Sequence, residues 1–393
     1  MKNELKSSPI GLLPNDWRIG MLGEYLDYIQ PTKYITKSFN EIGNTPVLTA
    51  NKAFILGYTD ETEGVYNNVP VIIFDDFTTD SKFIDFPFKV RSSALKILAF
   101  TTKEIDINYL YESLKRIKYQ STEHKRYWIS EYQYLKIPIP PVPEQQKIAE
   151  ILSTVDAKIE IIDQQISETQ DLKKGLMQQL LTKGIGHTEF KDSALGKIPK
   201  SWEVNKIGET CHSFAGGTPK RSVKEYYKNG TIPWVKSGEV DNDNITSTKE
   251  SVTELAINET STRLIKSKSI LVALYGATAG KVGVLKMDAC SNQAVLAINS
   301  NVDFISNKFL YHFLKSITKT LLVLCQGSGQ PNLSKKIIDN VNIPIPQKGE
   351  QRHISEILTS VDNKLEVLSE KKTTYQEMKQ GLMQQLLTGK VRV

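Results

Sequence analysis

Cysteine is scarce in this 393-residue chain. There are three, Cys211, Cys290 and Cys325, an odd number with no CxxC pair. That excludes a disulfide frame and a thiolate zinc site, and it fits a reducing cytoplasm. Histidine is hardly commoner, five in all and scattered. Cys211-His212 are neighbours, which is poor geometry for two ligands of one ion, so no metal is expected. No apolar run approaches the ~20 residues needed to cross a membrane, and Met1-Lys2-Asn3-Glu4-Leu5 lacks the apolar stretch of a signal peptide. Neither low-complexity nor Gly/Ser-rich tracts occur. Charge is only mildly unbalanced, +6 with a pI near 8.8, short of the pI above ~9 that marks a strong nucleic-acid domain.

Recognisable catalytic equipment is missing too. Gly276-Ala277-Thr278-Ala279-Gly280-Lys281-Val282 looks like a phosphate loop. That motif needs four residues between its glycines and Ser or Thr after the Lys, whereas here there are three, followed by Val. A Gly-rich methyl-donor site, an Asn-Pro-Pro-aromatic tetrapeptide and a nuclease-like carboxylate cluster are absent. The chain is expected to have no catalytic residues and no cofactor of its own.

What it does have is a long repeat. Residues 137–182 recur at 343–388 with about half the positions identical and no residue gained or lost. Both copies open Ile-Pro-Ile-Pro, run through Glu-Gln (Glu144-Gln145, Glu350-Gln351) and end Gly-Leu-Met-Gln-Gln-Leu-Leu-Thr. A repeat without indels has a constrained length, as a rigid spacer would. The duplication continues outside it. Trp17 matches Trp202 at an offset of 185, Thr79 and Lys82 match Thr278 and Lys281 at 199, and Leu110-Tyr111 match Leu310-Tyr311 at 200, rising to 206 in the long repeat. A climbing offset is what loop insertions produce on a retained framework. The expected divisions are a globular unit at 1–143, a helix at 144–183, a second unit at 184–349 and a second helix at 350–393.

Within the repeat the apolar spacing is a heptad seam: Ile148, Leu152, Val155, Ile159, Ile162 and Ile166, then Ile354, Leu358, Val361, Leu365 and Leu368. Thr169 and Lys173 interrupt it in one copy, and Lys372 and Lys379 in the other. Each helix should be roughly 39 residues, about 58 Å long. The seams match, so the two helices most simply pack on each other. Connectivity makes the pair antiparallel, with a globular unit at each end and a pseudo-twofold axis between. Homodimerisation through each seam separately is the alternative.

The globular units read as mixed α/β, an α+β arrangement. Val69–Phe74 and Ser269–Leu274 are buried strands by composition, each followed by a turn carrying the matched Thr and Lys, and Asn108–Arg116 and Asn307–Ser316 are short helices. Turns rich in Lys, Thr, Asn and Gln suit DNA, Lys on phosphates and Asn or Gln on adenine edges. The candidates are Lys33, Lys37, Lys52, Thr79, Lys82 and Arg91 in the first unit. In the second they are Lys220, Arg221, Lys236, Thr278, Lys281, Gln330 and Asn332. Asn292-Gln293 has a structural reading, bonding backbone within a strand pair.

Nearly the whole chain resembles the specificity subunit of Type I restriction-modification systems. The wording includes Gly216-Gly217-Thr218-Pro219, Ile232-Pro233-Trp234-Val235-Lys236-Ser237-Gly238, Tyr275-Gly276-Ala277-Thr278-Ala279-Gly280-Lys281 and Gln330-Pro331-Asn332-Leu333. In the first unit it includes Tyr28-Ile29-Gln30-Pro31-Thr32-Lys33-Tyr34, Leu48-Thr49-Ala50 and Phe74-Asp75-Asp76-Phe77-Thr78-Thr79. The resemblance implies two target recognition domains, each reading one half of a bipartite, asymmetric site in double-stranded DNA. It implies helices that set the gap and dock two modification (methyltransferase) subunits. S-adenosylmethionine would sit on those partners, and restriction (motor-nuclease) subunits would join for cleavage. Two rival classes are a specificity subunit of a related methylase-nuclease and a coiled-coil scaffold for protein partners.

Overall fold

The computed structural model describes residues 5–50, 54–76, 78–102, 104–117, 127–241, 243–323 and 332–393. The chain divides into two compact units, 1–164 with 370–393, and 165–369. Each therefore takes in part of both long helices.

The first unit carries, in chain order, β1 (Leu5–Ser8), β2 (Gly11–Pro14), β3 (Arg18–Met21), α1 (Leu22–Tyr25), β4 (Leu26–Ile29), β5 (Thr45–Leu48) and β6 (Ile55–Thr59). There follow β7 (Val71–Asp75), β8 (Ser81–Ile84), β9 (Lys89–Val90), β10 (Leu95–Phe100), α2 (Ile107–Arg116), α3 (Tyr127–Ser130), β11 (Lys136–Ile139) and the long helix α4 (Val142–Leu180). Its main sheet has the order β4-β10-β7-β8, all antiparallel. All five residues of β7 are buried because both faces of the sheet are covered. Ile72 and Phe74 face one core with Leu98, Leu110 and Trp128, while Val71 and Ile73 face another with Phe88 and Ile97. A strand covered on both sides needs no polar alternation, hence its unbroken apolar run.

The second unit repeats the plan with β12 (Phe190–Ser193), β13 (Gly196–Pro199), β14 (Glu203–Lys206), α5 (Ile207–Thr210), β15 (Cys211–Ala215), β16 (Ile232–Val235), β17 (Asn244–Ile245) and β18 (Ser251–Val252). Then come α6 (Glu254–Glu259), β19 (Ile270–Ala273), β20 (Val282–Leu285), β21 (Cys290–Ser291), β22 (Val295–Ser300), α7 (Asn307–Ser316), α8 (Thr318–Val323), α9 (Lys335–Asp339), β23 (Asn342–Ile345) and α10 (Lys348–Leu386). Its sheet order is β15-β22-β19-β20-β17. Element starts reproduce the climbing offset: β1 to β12 by 185, β7 to β19 by 199, α2 to α7 by 200, and α4 to α10 by 206. The jump from 185 to 199 falls where the second unit inserts α6 and its flanking short strands.

Both long helices have 39 residues, as the spacing predicts. They start and end a little earlier than the sequence suggests. Pro143 lies inside the first turn of α4, where its missing N–H leaves nothing unpaired. Gly184 and Gly389, both at left-handed φ (67° and 69°), follow the helix ends. A Cβ at Gly184 would strike Glu350 and Trp202, and one at Gly389 would strike Pro14.

The seam does not break at its polar positions. Thr169 is buried, and Lys173, Lys372 and Lys379 occupy seam sites. Each lysine meets an aspartate of the other helix: Lys173 with Asp362, Lys372 with Asp163 at 2.5 Å, and Lys379 with Asp156. Going from 372 to 379 on one helix goes with 163 to 156 on the other, so the helices pack antiparallel. The expected interruption was an error of reading one helix without its partner.

The matched Trp and Glu-Gln residues form the joint between core and helix. The indole of Trp17 donates to Glu144 (3.0 Å), and that of Trp202 donates to Glu350 (2.8 Å). The Gln145 amide donates to Pro140 and accepts from the backbone of Asp106, the residue capping α2. The Gln351 amide does the same with Pro346 and Ser306, the cap of α7. Glu144 also takes the Arg392 guanidinium, and Glu350 takes His187. Buried carboxylates and amides demand such partners, so these residue types recur together.

Candidate nucleic-acid interface

Lys52 and Gln330 lie outside the described residues. The other candidates fall into three groups. In the first unit, Lys33 and Lys37 are exposed on the segment that leads from a 3-10 turn (Pro31–Tyr34) alongside β9. The Thr36 backbone donates to Val90, and the Arg91 guanidinium donates to the Thr36 carbonyl at 3.3 Å. That brings Arg91 to the same edge as Lys33 and Lys37. Arg91 also lies 5.5 Å from the ring centroid of Phe39, which is itself exposed. Ile42, on the same loop, is 86% exposed. An apolar side chain so exposed was not singled out from the sequence. Its only signal was an isoleucine between Glu41 and Gly43 in a turn-rich stretch.

Lys82 is separate. It lies in β8, not in a turn, and its ammonium sits 4.2 Å from the Phe54 ring centroid. Thr79 holds the turn, at φ 60°, with its N–H donating to the Asp75 carbonyl. The expected equivalence of Lys82 with Lys281 does not survive the strand register. Ile73 pairs with Lys82, and its counterpart Val272 pairs with Val282. The second hairpin holds one residue more, so Lys281 stands just before β20 while Lys82 is within β8.

The second unit assembles more of its candidates. Arg221 stacks on Tyr227 (4.3 Å) and Trp234 (5.2 Å) and pairs with Glu250 at 2.6 Å. Lys236 pairs with the same carboxylate, and these two cations hold Glu250 below the usual carboxylate range. The Thr278 hydroxyl donates to the Ser237 carbonyl at 2.9 Å, pinning the Gly276–Thr278 turn against the Lys236 segment. Lys281 reaches Asp241 at 2.8 Å, and Asn332 bridges to Tyr275. Lys220 is exposed beside Arg221. Arg221, Lys236 and Lys281 are thus held in place by acids, and each would exchange a carboxylate for a phosphate on binding.

The turn that mimicked a phosphate loop leads into a strand, not a helix, so it presents no helix N-terminus to an anion. At Asn292-Gln293 the Asn292 backbone N–H donates to Val235 and the Gln293 side chain accepts from Thr218, while the Asn292 Oδ1 is buried without a hydrogen-bond partner. Gly216 and Gly217 are required there, because a Cβ on either would run into Ser291 or Ser261-Thr262. Cys211 and Cys290 are free, and burial pushes their thiols up to about 11 and about 12. Neither is a reactive thiolate. Among the described residues no cluster of His, Cys, Asp and Glu could hold a metal, and no helix is long and apolar enough to cross a membrane.

Each long helix carries exposed apolar residues away from its seam. Ile161 and Leu172 on α4 recur as Val367 and Met378 on α10, each pair at the repeat offset of 206.

Comparison with known proteins matches this geometry. The family described as Type I restriction modification DNA specificity domain matches residues 14–170 and again 199–375. The chain is 33% identical over 353 residues to the Type I restriction enzyme EcoR124I/EcoR124II specificity subunit of Escherichia coli, covering 87% of this chain and 85% of that one. It is 30% identical over 407 residues to the MjaVIII specificity subunit of Methanocaldococcus jannaschii, covering 97% and 94%. Its fold is similar to the crystal structure of the Type I restriction-modification S subunit from M. genitalium, with a TM-score of 0.66 at 18% identity over 98% of this chain and 99% of that one.

Proposed function

Since this chain belongs to the Type I restriction modification DNA specificity family, we propose that its two units read the two halves of a bipartite, asymmetric sequence in double-stranded DNA. It is a non-catalytic recognition subunit. The observation that carries the bipartite reading is the duplication itself: one order of framework elements is kept, while the loops between β4 and β7 and between β15 and β19 differ in length and content. Loops vary where specificity resides.

In the first unit Lys33, Lys37 and Arg91 contact one stretch of backbone, and Lys82 another. In the second, Lys220, Arg221, Lys236 and Lys281 contact phosphates, with Thr278 and Asn332 nearer the bases. The helices joining the units set the gap between half-sites. Their matched apolar faces dock two methyltransferase subunits, one per repeat, which bring S-adenosylmethionine; restriction subunits complete the assembly. The site of action is the cytoplasm, where DNA is accessible and the two buried thiols stay reduced.

The test is methylation-sensitive sequencing of DNA from cells expressing the chain with its methyltransferase. A motif of two unlike parts around a fixed gap is expected. A continuous motif, or two identical halves, would overturn the reading. Leu172→Asp with Met378→Asp should abolish methyltransferase co-purification while leaving the chain folded.

A further inference from the structure

The two units diverge at one buried place. In the first unit Phe83, Phe100 and Tyr111 fill the space beneath α2, with ring centroids 5.7 and 6.4 Å from Phe83. Glu112 beside them is paired with Lys115 and Lys379. In the second unit, at the same offset of 200, Tyr111 is kept as Tyr311, Glu112 gives way to His312 and Phe100 to Ser300, and the strand pairing puts Gly283 where Phe83 stands. What remains is a cleft of about 890 Å³, within the range of small-molecule sites.

The lining is graded. Ile166, Ile270, Val284 and Leu365 make an apolar wall, with Tyr311 beside them. His312 is 2% exposed; its Nε2 meets the Thr359 hydroxyl at 3.2 Å, and its Nδ1, without a hydrogen-bond partner, faces the Asp362 carboxylate at 3.9 Å. Among the described residues, Lys268, Lys286 and Lys308 line the cleft without a carboxylate partner, and all three are exposed. Lys268 is held at φ 71° by its N–H donating to Leu285 and its carbonyl accepting from the Asn307 amide. The inner charges are already matched, Lys173 to Asp362 and Lys315 to Asp243.

We propose that this cleft binds a nucleotide, with the base on the apolar wall beside Tyr311 and the His312 ring, and the phosphate among Lys268, Lys286 and Lys308. The nucleotide is either free or one residue of a DNA strand. The site is assigned to the second unit, because the first has Phe83 and Phe100 where the second has Gly283 and Ser300.

The experiment uses the full chain with carbon-13-labelled histidine, whose five ring signals are separable, His312 being assigned by its loss in His312→Gln. Adenosine 5′-monophosphate is titrated by calorimetry and by the His312 signal, and then a duplex carrying the methylome-determined target. Lys286→Ala with Lys308→Ala keeps the fold, since both side chains are at the surface, and Lys191→Ala is the control. Binding of the monophosphate, weakened about tenfold or more by the double variant and unchanged in the control, supports a free nucleotide. No monophosphate binding, but a His312 signal moved by the duplex in the parent and not in the double variant, supports a strand nucleotide. A His312 signal unmoved by both, or moved equally in the double variant, overturns the proposal. If His312→Gln fails to fold, calorimetry of the lysine variants alone decides the free-nucleotide arm, and the ring signal shifted by Thr359→Val identifies His312 for the strand arm.

Discussion

His312 shows how much one side chain can differ between two copies of a framework. Burial lowers its pKa from 6.5 to about 4, with Lys173 and Lys315 adding to the effect and Asp362 and Asp243 opposing it. The unfolded chain therefore binds a proton that the folded second unit refuses between about pH 6.5 and pH 4. Stability contributed by neutral His312 is present above that window and is lost as pH falls through it, on the order of 3 kcal/mol at most. Urea melts at pH 7 and pH 4.5 should show the second unit losing stability, and His312→Gln should flatten that dependence. An equal loss in the variant would place the titration elsewhere. Nothing in the sequence flagged His312, because a lone histidine on a helix has no pattern. The Trp17 and Glu144 match was legible for the opposite reason. A buried indole and a buried carboxylate each need the other, so both copies kept them at long separation. Lys82 and Lys281 misled because a one-residue insertion in a hairpin leaves the letters aligned while shifting the register.

At the scale of the element, the heptad seam was readable in its apolar stretches and misread where lysine entered it. The reading took one helix at a time, while the partners sit on the other. Lys379 is 9% exposed in its side chain, and it meets Glu112 at 2.9 Å as well as Asp156. Removing it leaves two carboxylates around Lys115 alone. Lys379→Met should cost about 3–5 kcal/mol in the first unit, and adding Glu112→Leu should recover most of that. Thermal unfolding of the four members of the cycle measures it; additive losses would deny the coupling. The helix ends were less legible than their length. Capping by Gly184 and Gly389 depends on how closely Trp202 and Pro14 approach, which spacing alone does not reveal.

For the whole molecule, the modular organisation predicts two separable outcomes. Exchanging residues 1–143 for the corresponding part of a relative should alter one half-site of the methylated motif and leave the other as it was. Changes in both halves would show that the units read jointly. The gap should follow the helices. Four residues inserted near Thr169 add about 6 Å, and because the helices are antiparallel, a matched four-residue insertion near Glu366 is needed to keep the seam in step. The doubly inserted chain should methylate at half-sites one or two base pairs further apart, at ~3.4 Å each. An unchanged gap in an active complex would leave the helices as docking surfaces only.

The division of the chain also imposes an order in time. The second unit is one continuous stretch, 165–369, whereas the first is incomplete without 370–393. Arg392 closes on Asp16 and Glu144, hundreds of residues upstream. On the ribosome the early-made half must wait, with Leu13, Trp17 and Ile148 lacking Leu386 and Leu387, while the later-made half can already close. Protease challenge of nascent chains stalled after residue 369 has emerged should find the second unit resistant and the first still cleavable. The waiting half is then the one that depends on chaperones, and a premature stop beyond residue 369 would release a molecule able to hold its second fold but not its first.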